Sequence, residues 1–443
     1  MVLQVFGIIM ARRRKQKIEQ IRQLARKDLK LYSDRGYAGL HFDIVSQILL
    51  RLPVEDLLRC KSVCTKWYEL IKEPDFISMQ VNNAICQPSR IILAPRSLYH
   101  RYRYEDPTNA LFLIGKGKGT TIPVKNLKLN CYYRIAGSCN GLLCIASTYI
   151  NDKPVYIYNP ITRECKKLPE IDPKYFKTDG VLFGFGFDTI HKKYKVICVY
   201  RPYYWDTDYY EGNVTESPVT AGVIITEGES SWRQLEFPYQ INFQYGSETV
   251  FLDGAFHWMI DTEDPRHPTS GSERILALDV RNEEFHTINI PPSIVLPDSL
   301  ILINLAGYLA FVESTLDTSS QIWQIVGSET NGRQIFRYSC KCVSETDRLN
   351  YFCRLLNMST DGCYYYQATE RLQQYRSISQ QSPKPCDHLA LYNPEKDQSF
   401  FLNMHGIPRS FHTVFFTPTL VSPEAIYFPP KSLVEMRRNQ FSS

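Results

Sequence analysis

The sequence predicts an α+β multidomain chain, in which a small three-helix module precedes a much longer all-β, propeller-like body. Three observations carry this expectation. Apolar residues recur at helical spacing between Leu40 and Phe76. From Arg90 onward they give way to short β-branched and aromatic runs separated by Gly, Pro, Asn and Asp. Within those runs, a small residue followed by glycine returns at near-regular intervals.

The chain divides on this basis into a basic extension (1–36), the helical module (37–85), the β-rich body (88–430) and a short tail (431–443). In the extension, residues 11–30 carry nine basic side chains against Glu19 and Asp28, a balance of +7, so the rest of a chain of net charge +5 sums to −2. Ile18, Ile21, Ala25 and Leu29 recur at helical spacing within it. It reads as a solvated, fraying extension; ARRRKQK would otherwise serve as a nuclear-import signal or an electrostatic tether.

The first helix of the module is expected over about Phe42–Leu50, with Asp43 in the first turn, where a carboxylate suits the positive end of the helix dipole. Ile44, Ile48 and Leu52 form one stripe, and Val45 and Leu49 flank it. Pro53 suits the first turn of a second helix, where Leu57 and Leu58 point inward. A third helix carries Trp67, Leu70 and Ile71 and stops ahead of Pro74. A unit of this size buries too little apolar surface to be stable unless a partner covers part of it.

In the body, Asn140-Gly141, Asp253-Gly254, Ala306-Gly307 and Asp361-Gly362 each lead into an apolar strand. Further strands end in turns within VYIYNPITRECKKLP, ILALDVRNEEFHTINIPP and LALYNPEKDQSFFLNM. One more unit fits between the first two, built from FGFGFD, YKVICVY, AGVIITEG and SWRQLEFP. The spacing of about 50 residues is that of a four-stranded propeller blade of the kelch type. A lone blade cannot cover both its faces, so blades stack around an axis and closure hides their edges. Five or six blades are expected, with FHTVFFTPTLVS as a closing strand.

Composition excludes several classes. Hydrophobic content of 44% and charged content of 22% are those of an ordinary folded protein. With only the extension basic, neither nucleic acid nor membrane is an expected partner. No apolar run reaches the ~18 residues that span a bilayer, and MVLQVFGIIM lacks the features of a cleaved leader. Thirteen cysteines without framework spacing suit a reducing compartment, the cytoplasm or nucleus, where the sequons at Asn213 and Asn357 are chance matches.

The module resembles an F-box, through Leu40, Ile48-Leu49, Leu52-Pro53, Leu57-Leu58 and Val63-Cys64-Thr-Lys-Trp67, with His41 standing where the family carries proline. The body resembles the F-box-associated domain of the plant family, through GSCNGLLCI, YNPITRECKKLP, GFGFDTIHKKYKVICVY, SWRQL, LDGAFHW and LVSP. The resemblance covers about residues 40–425 and implies a substrate receptor of a Skp–cullin–F-box ubiquitin ligase. A Skp-type adaptor, and through it a cullin scaffold, would dock on Leu40, Ile44, Ile48, Leu49, Leu52, Pro53, Leu57, Leu58, Arg59 and Lys66, while the body holds an unidentified target protein. Arg51, Arg59, Lys61 and Lys66 outnumber Glu55 and Asp56, which suits an acidic partner. The alternative is an adaptor-independent protein- or glycan-binding propeller with a degenerate F-box.

No cofactor, metal or catalytic residue is expected. Gly137-Ser-Cys139-Asn-Gly141 imitates a nucleophile elbow, but a strand follows it where that device needs a helix. Gly115-Lys-Gly-Lys-Gly119 lacks the order of a phosphate loop and reads as an inter-strand turn. Cys340, Cys342, Cys353 and Cys363 lack paired zinc-ligand spacing, and His257 reads as a structural histidine. No convergent carboxylate and histidine cluster is evident at repeat-equivalent positions. Two aromatic clusters, around Tyr102 and Tyr104 and around Tyr203, Tyr204 and Trp205, fall between strand runs and are the candidate target-binding residues.

Overall fold

The computed structural model describes residues 42–85, 87, 89–95, 110–115, 118–123, 133–147, 154–172, 178–202, 220–243, 248–261, 273–290, 300–314, 319–326, 334–341, 351–359, 362–370, 386–402 and 407–426. The chain forms two compact units, Met1–Cys86 and Gln87–Ser443. The basic extension and Leu40 lie outside the described residues. Among those that are described, no helix is long and apolar enough to cross a membrane.

The first unit holds four helices among the described residues, not three: α1 (Phe42–Leu49), α2 (Val54–Cys60), α3 (Thr65–Lys72) and α4 (Pro74–Ile85). Pro74 explains the difference. It ends α3 by forcing Glu73 into an extended conformation (ψ 134°), and its own fixed φ then starts α4, since the first turn of a helix needs no N–H from it. Pro53 (φ −55°, ψ 147°) precedes α2 as its cap residue. Leu49, Leu57, Cys60, Ile71 and Phe76 are buried, as α2 packs on α3 and α3 on α4.

The second unit is all β. Its described strands form six four-stranded antiparallel sheets. Blade 1 comprises β1 (Arg90–Pro95), β2 (Ala110–Gly115) and β3 (Lys118–Pro123), and blade 2 β4 (Tyr133–Cys139), β5 (Leu142–Ser147), β6 (Tyr156–Tyr158) and β7 (Cys165–Lys167). Blade 3 holds β8 (Thr178–Asp188), β9 (Lys193–Pro202), β10 (Ala221–Thr226) and β11 (Arg233–Glu236). Blade 4 holds β12 (Val250–Leu252), β13 (Ala255–Met259), β14 (Glu273–Asp279) and β15 (Phe285–Asn289). Blade 5 holds β16 (Leu300–Leu305), β17 (Tyr308–Ser314), β18 (Ser319–Val326) and β19 (Gln334–Lys341). Blade 6 holds β20 (Tyr351–Met358), β21 (Tyr364–Glu370), β22 (Asp387–Asn393) and β23 (Gln398–Phe401), and β24 (Phe411–Phe416) returns to blade 1 as its innermost strand. The expected closing strand is therefore present.

The glycine turns sit inside blades 2, 4, 5 and 6, joining the first and second strands of each, one strand later than the start of the sheet. Asn140-Gly141 (φ 49°, 78°), Asp253-Gly254 (50°, 76°) and Ala306-Gly307 (51°, 88°) have both central residues left-handed, as two-residue hairpins require. A second turn design recurs. Asn159, Asp188, Asp279 and Asn393 cap the loop with a side-chain oxygen, and the residue four later, Arg163, Lys192, Glu283 or Asp397, takes positive φ.

Period-2 alternation builds the core. On β9, Val196, Cys198 and Tyr200 face blade 2 with Cys144, Ala146 and Ile157, while Ile197 and Val199 face blade 4 with Phe256, Trp258 and Leu276. Comparable clusters fill the interfaces of blades 4 and 5, 5 and 6, 6 and 1, and 1 and 2, so the ring is continuous. Closure rests on backbone pairing from Arg90↔Phe416 to Pro95↔Phe411. Buried Asp387 of blade 6 reinforces it, accepting hydrogen bonds from Ser410 Oγ and Phe411 N at 3.0 Å each.

Beyond β24 the chain straps across blade 2. Thr419 Oγ1 donates to Asn140 O (2.6 Å), and fully buried Asn159 donates to Thr419 O (3.1 Å) and Val421 O (2.7 Å). Lys166 bonds Ile426 O. A Cβ on Gly141 would stand 2.2 Å from Thr419 Oγ1 and 2.6 Å from Thr417 O, whereas one on Gly254 would meet nothing within 4 Å. We predict that Gly254→Ala costs about 1–2 kcal/mol, the left-handed penalty alone, and Gly141→Ala distinctly more. Urea unfolding of the full chain tests this; equal losses would mean that the strap does not grip blade 2.

Candidate functional site

Two surfaces gather the candidate residues. On the helical module, α1 presents Ile44 with 46% of its surface exposed. Ile48, Leu52 and Leu58 are half-buried, and Pro53, Arg59 and Lys66 are exposed. Leu49 and Leu57 are fully buried and hold the module's own core, so they offer no surface to a partner. Trp67 and Val63 are half-buried. Arg59 pairs with Asp56 at 2.5 Å, which tempers the basic character read from the sequence. Three exposed apolar side chains were not anticipated: Tyr68 on α3, and Met79 and Ile85 on the fourth helix.

In the propeller, Tyr102, Tyr104, Tyr203, Tyr204 and Trp205 lie outside the described residues. The strands on either side of them are β1 and β2, and β9 and β10, in both cases the second and third of a blade. β1 and β9 end at the same rim of the ring, opposite the glycine turns. Tyr200, three residues before the second cluster, is buried in the core between blades 2 and 3.

The ring encloses a cavity of about 210 Å³, lined by residues of all six blades. There the structure does assemble the convergent cluster that the sequence did not reveal. Glu248, just ahead of β12, accepts hydrogen bonds on Oε1 from Arg354 Nη2 of β20 (2.9 Å) and lies 3.0 Å from His412 Nε2 of β24. Blades 1 and 4 face each other in a ring of six, so the Glu248–His412 contact spans the channel. Burial alone would raise the Glu248 carboxyl; the Arg354 guanidinium and His412 outweigh it and hold the group well below the usual carboxylate range. The partners are 106 and 164 residues away in sequence, and the only local signal is a polar residue at the start of an inner strand.

A second ionic group joins blades 3 and 4 at the tight-turn rim. Buried Lys195 meets Glu283 at 2.5 Å, and Arg233 bridges Glu283 (2.9 Å) and Glu229 (2.6 Å). Its charges satisfy one another.

The motifs set aside in the sequence take structural places. Cys139 ends β4, a strand follows its turn, and burial pushes its thiol up to about 12. Gly115 and Lys118 pair across the β2–β3 hairpin. His257 is buried in β13 with Nδ1 3.3 Å from Val250 O. Among the described residues no group of His, Cys, Asp and Glu could hold a metal ion, and the described cysteines are free thiols.

Comparison with known proteins matches residues 105–362 to the family described as F-box associated beta propeller domain, and residues 39–79 to the F-box domain. The F-box protein At3g07870 of Arabidopsis thaliana is 26% identical over 420 residues, covering 87% of this chain and 92% of that protein. The Arabidopsis F-box protein At5g49610 is 28% identical, over 68% of this chain and 79% of its own. Among solved structures, TolB from Acinetobacter baumannii aligns at 10% identity and a TM-score of 0.41, covering 74% of this chain and 66% of that one.

The channel cluster generates a pH prediction. The folded Glu248 carboxyl lies below its unfolded value of about 4.3, so its contribution to stability is full above that pH and falls as pH drops through the folded value. The melting-temperature gap between wild type and Glu248→Gln should therefore narrow as pH falls below about 4. A gap independent of pH would contradict the assignment.

Proposed function

Because this chain belongs to the F-box proteins that carry an F-box-associated β-propeller domain, we propose that it is the substrate-recognition subunit of a Skp–cullin–F-box ubiquitin ligase. F-box proteins with propeller bodies are typically non-catalytic adaptors. In this reading the helical module docks a Skp-type adaptor and through it a cullin scaffold. The propeller holds a target protein and presents its lysine to a charged conjugating enzyme bound elsewhere in the assembly. Rate is then gained by proximity, and no side chain of this chain takes part in bond making.

The observation that carries the proposal is the exposed Ile44 on α1, with half-buried Ile48 one turn away, on a module of four short helices. Apolar residues at i and i+4 on an unpaired helix face are the means by which one helix packs into the groove of another. Leu52, Pro53 and Leu58 extend that apolar area, and exposed Arg51 and Lys66 favour the approach of an acidic partner. The rim opposite the glycine turns is the proposed target-binding face, since both Tyr- and Arg-rich segments leave from it. Work in the cytoplasm or nucleus fits the free thiols.

The module's two roles can be separated experimentally. Ile44→Glu in the full chain should abolish co-purification with a Skp-type adaptor without lowering the melting temperature. Leu57→Ala should instead destabilise the module by about 2–5 kcal/mol by leaving a cavity. Retained adaptor binding in Ile44→Glu would refute the docking face. Binding that is absent from the wild type and restored by His41→Pro would identify a degenerate F-box. In cells, a protein that is labelled by proximity to the full chain and accumulates when the gene is removed is the expected target; no accumulation would argue against degradation as the output.

A further inference from the structure

The central cavity keeps hydrogen-bonding capacity that no described residue uses. Arg354 Nη2 and His412 Nε2 both converge on Oε1 of Glu248, and among the described residues Oε2 accepts no hydrogen bond. The Glu248 side chain is 45% exposed where it lines the cavity. Toward the glycine-turn end of the inner strands, Asn304 Oδ1 accepts from Gly307 N, and Asn357 Oδ1 accepts from Ala306 N and Met358 N. Their Nδ2 groups have no partner among the described residues and remain as donors. His412 Nδ1 and Thr413 Oγ1, on a strand that lines the same cavity, are buried and likewise unpartnered among the described residues. Half-buried Phe251 and Phe415 form part of the wall.

We propose that this cavity binds a small uncharged polyhydroxyl molecule of the sugar or cyclitol class. Charge decides against the alternatives. Glu248 Oε1 is already shared by Arg354 and His412, so a cation entering the cavity would meet the guanidinium and the imidazole, and an anion would meet an ionised carboxylate. A hydroxyl group can donate to Glu248 Oε2 and also accept from an asparagine amide, which matches the two ends of the lining. The C–H face of a saturated ring suits the phenylalanine walls. At about 210 Å³ the cavity is smaller than the 300–1,000 Å³ of pockets for drug-sized ligands, which limits the occupant to a single ring. Occupancy of the propeller is independent of adaptor docking by the helical module, so either reading can fail without the other.

Calorimetric titration and thermal unfolding of the full chain with glucose and myo-inositol test the proposal, with glucosamine and glucuronate as charged counterparts. At least one neutral probe should bind saturably and raise the melting temperature. Glu248→Gln should weaken that binding about tenfold, the order expected when a hydrogen bond to a charged acceptor is lost. Asn304→Ala, at an exposed position that leaves the ion cluster intact, should weaken it as well. The proposal is overturned if neither neutral probe binds, if a charged counterpart binds as well or better, or if binding is undiminished in Asn304→Ala.

Discussion

The pairing of β24 with β1 is the contact on which the rest of the propeller depends. Each blade has two apolar faces and can cover neither alone, so every inter-blade core exists only while the neighbouring blades stay in place. Opening the ring at one point would expose the Leu93–Phe112–Phe411 cluster and leave two sheet edges without partners. The seam is accordingly reinforced by more than its ladder. Asp387 ties blade 6 to the start of β24, and the strap from Thr417 to Ile426 carries the chain on to blade 2. Residues next to the closing strand thus touch blades 6 and 2 on either side of blade 1.

The same architecture explains where chemistry can reside. The second and third strands of a blade are packed on both faces, largely by apolar side chains. The inner strands border a channel, and there a carboxylate, a guanidinium and an imidazole from three blades meet, their mutual pairing offsetting the cost of burial. The helical module follows a different logic. It is too small to bury all its apolar residues, so Leu49 and Leu57 are spent on internal stability while Ile44 stays on the surface.

Much of this was legible in the sequence because it is written in local chemistry. Left-handed turns favour Gly, Asn or Asp, and strands buried on both faces read as continuous apolar runs, so the units, their spacing and the closing strand could be recognised from residues such as Gly141, Gly254 and Phe411. The phase of the blades was harder to read. Their first strands carry polar residues such as Asn304 and Arg354 toward the channel and look less like strands than the apolar runs after the turn. Pro74 concealed the fourth helix because one residue type both ends a helix and begins one. The cluster at Glu248 had no local signature beyond a polar residue at the start of an inner strand, since its partners are brought together only by ring closure.

One consequence concerns the order in which the molecule is made. β1 leaves the ribosome more than 300 residues before β24, the strand that covers its edge. Throughout synthesis of the intervening blades, a strand as apolar as Ile91-Ile92-Leu93 has β2 on one side and no final neighbour on the other. A nascent chain interrupted anywhere before Phe411 cannot complete the ring, and its open edge marks it as unfinished to cellular chaperones and proteases. Completion of the last strand therefore acts as a check on integrity, passed only by chains translated through the seam.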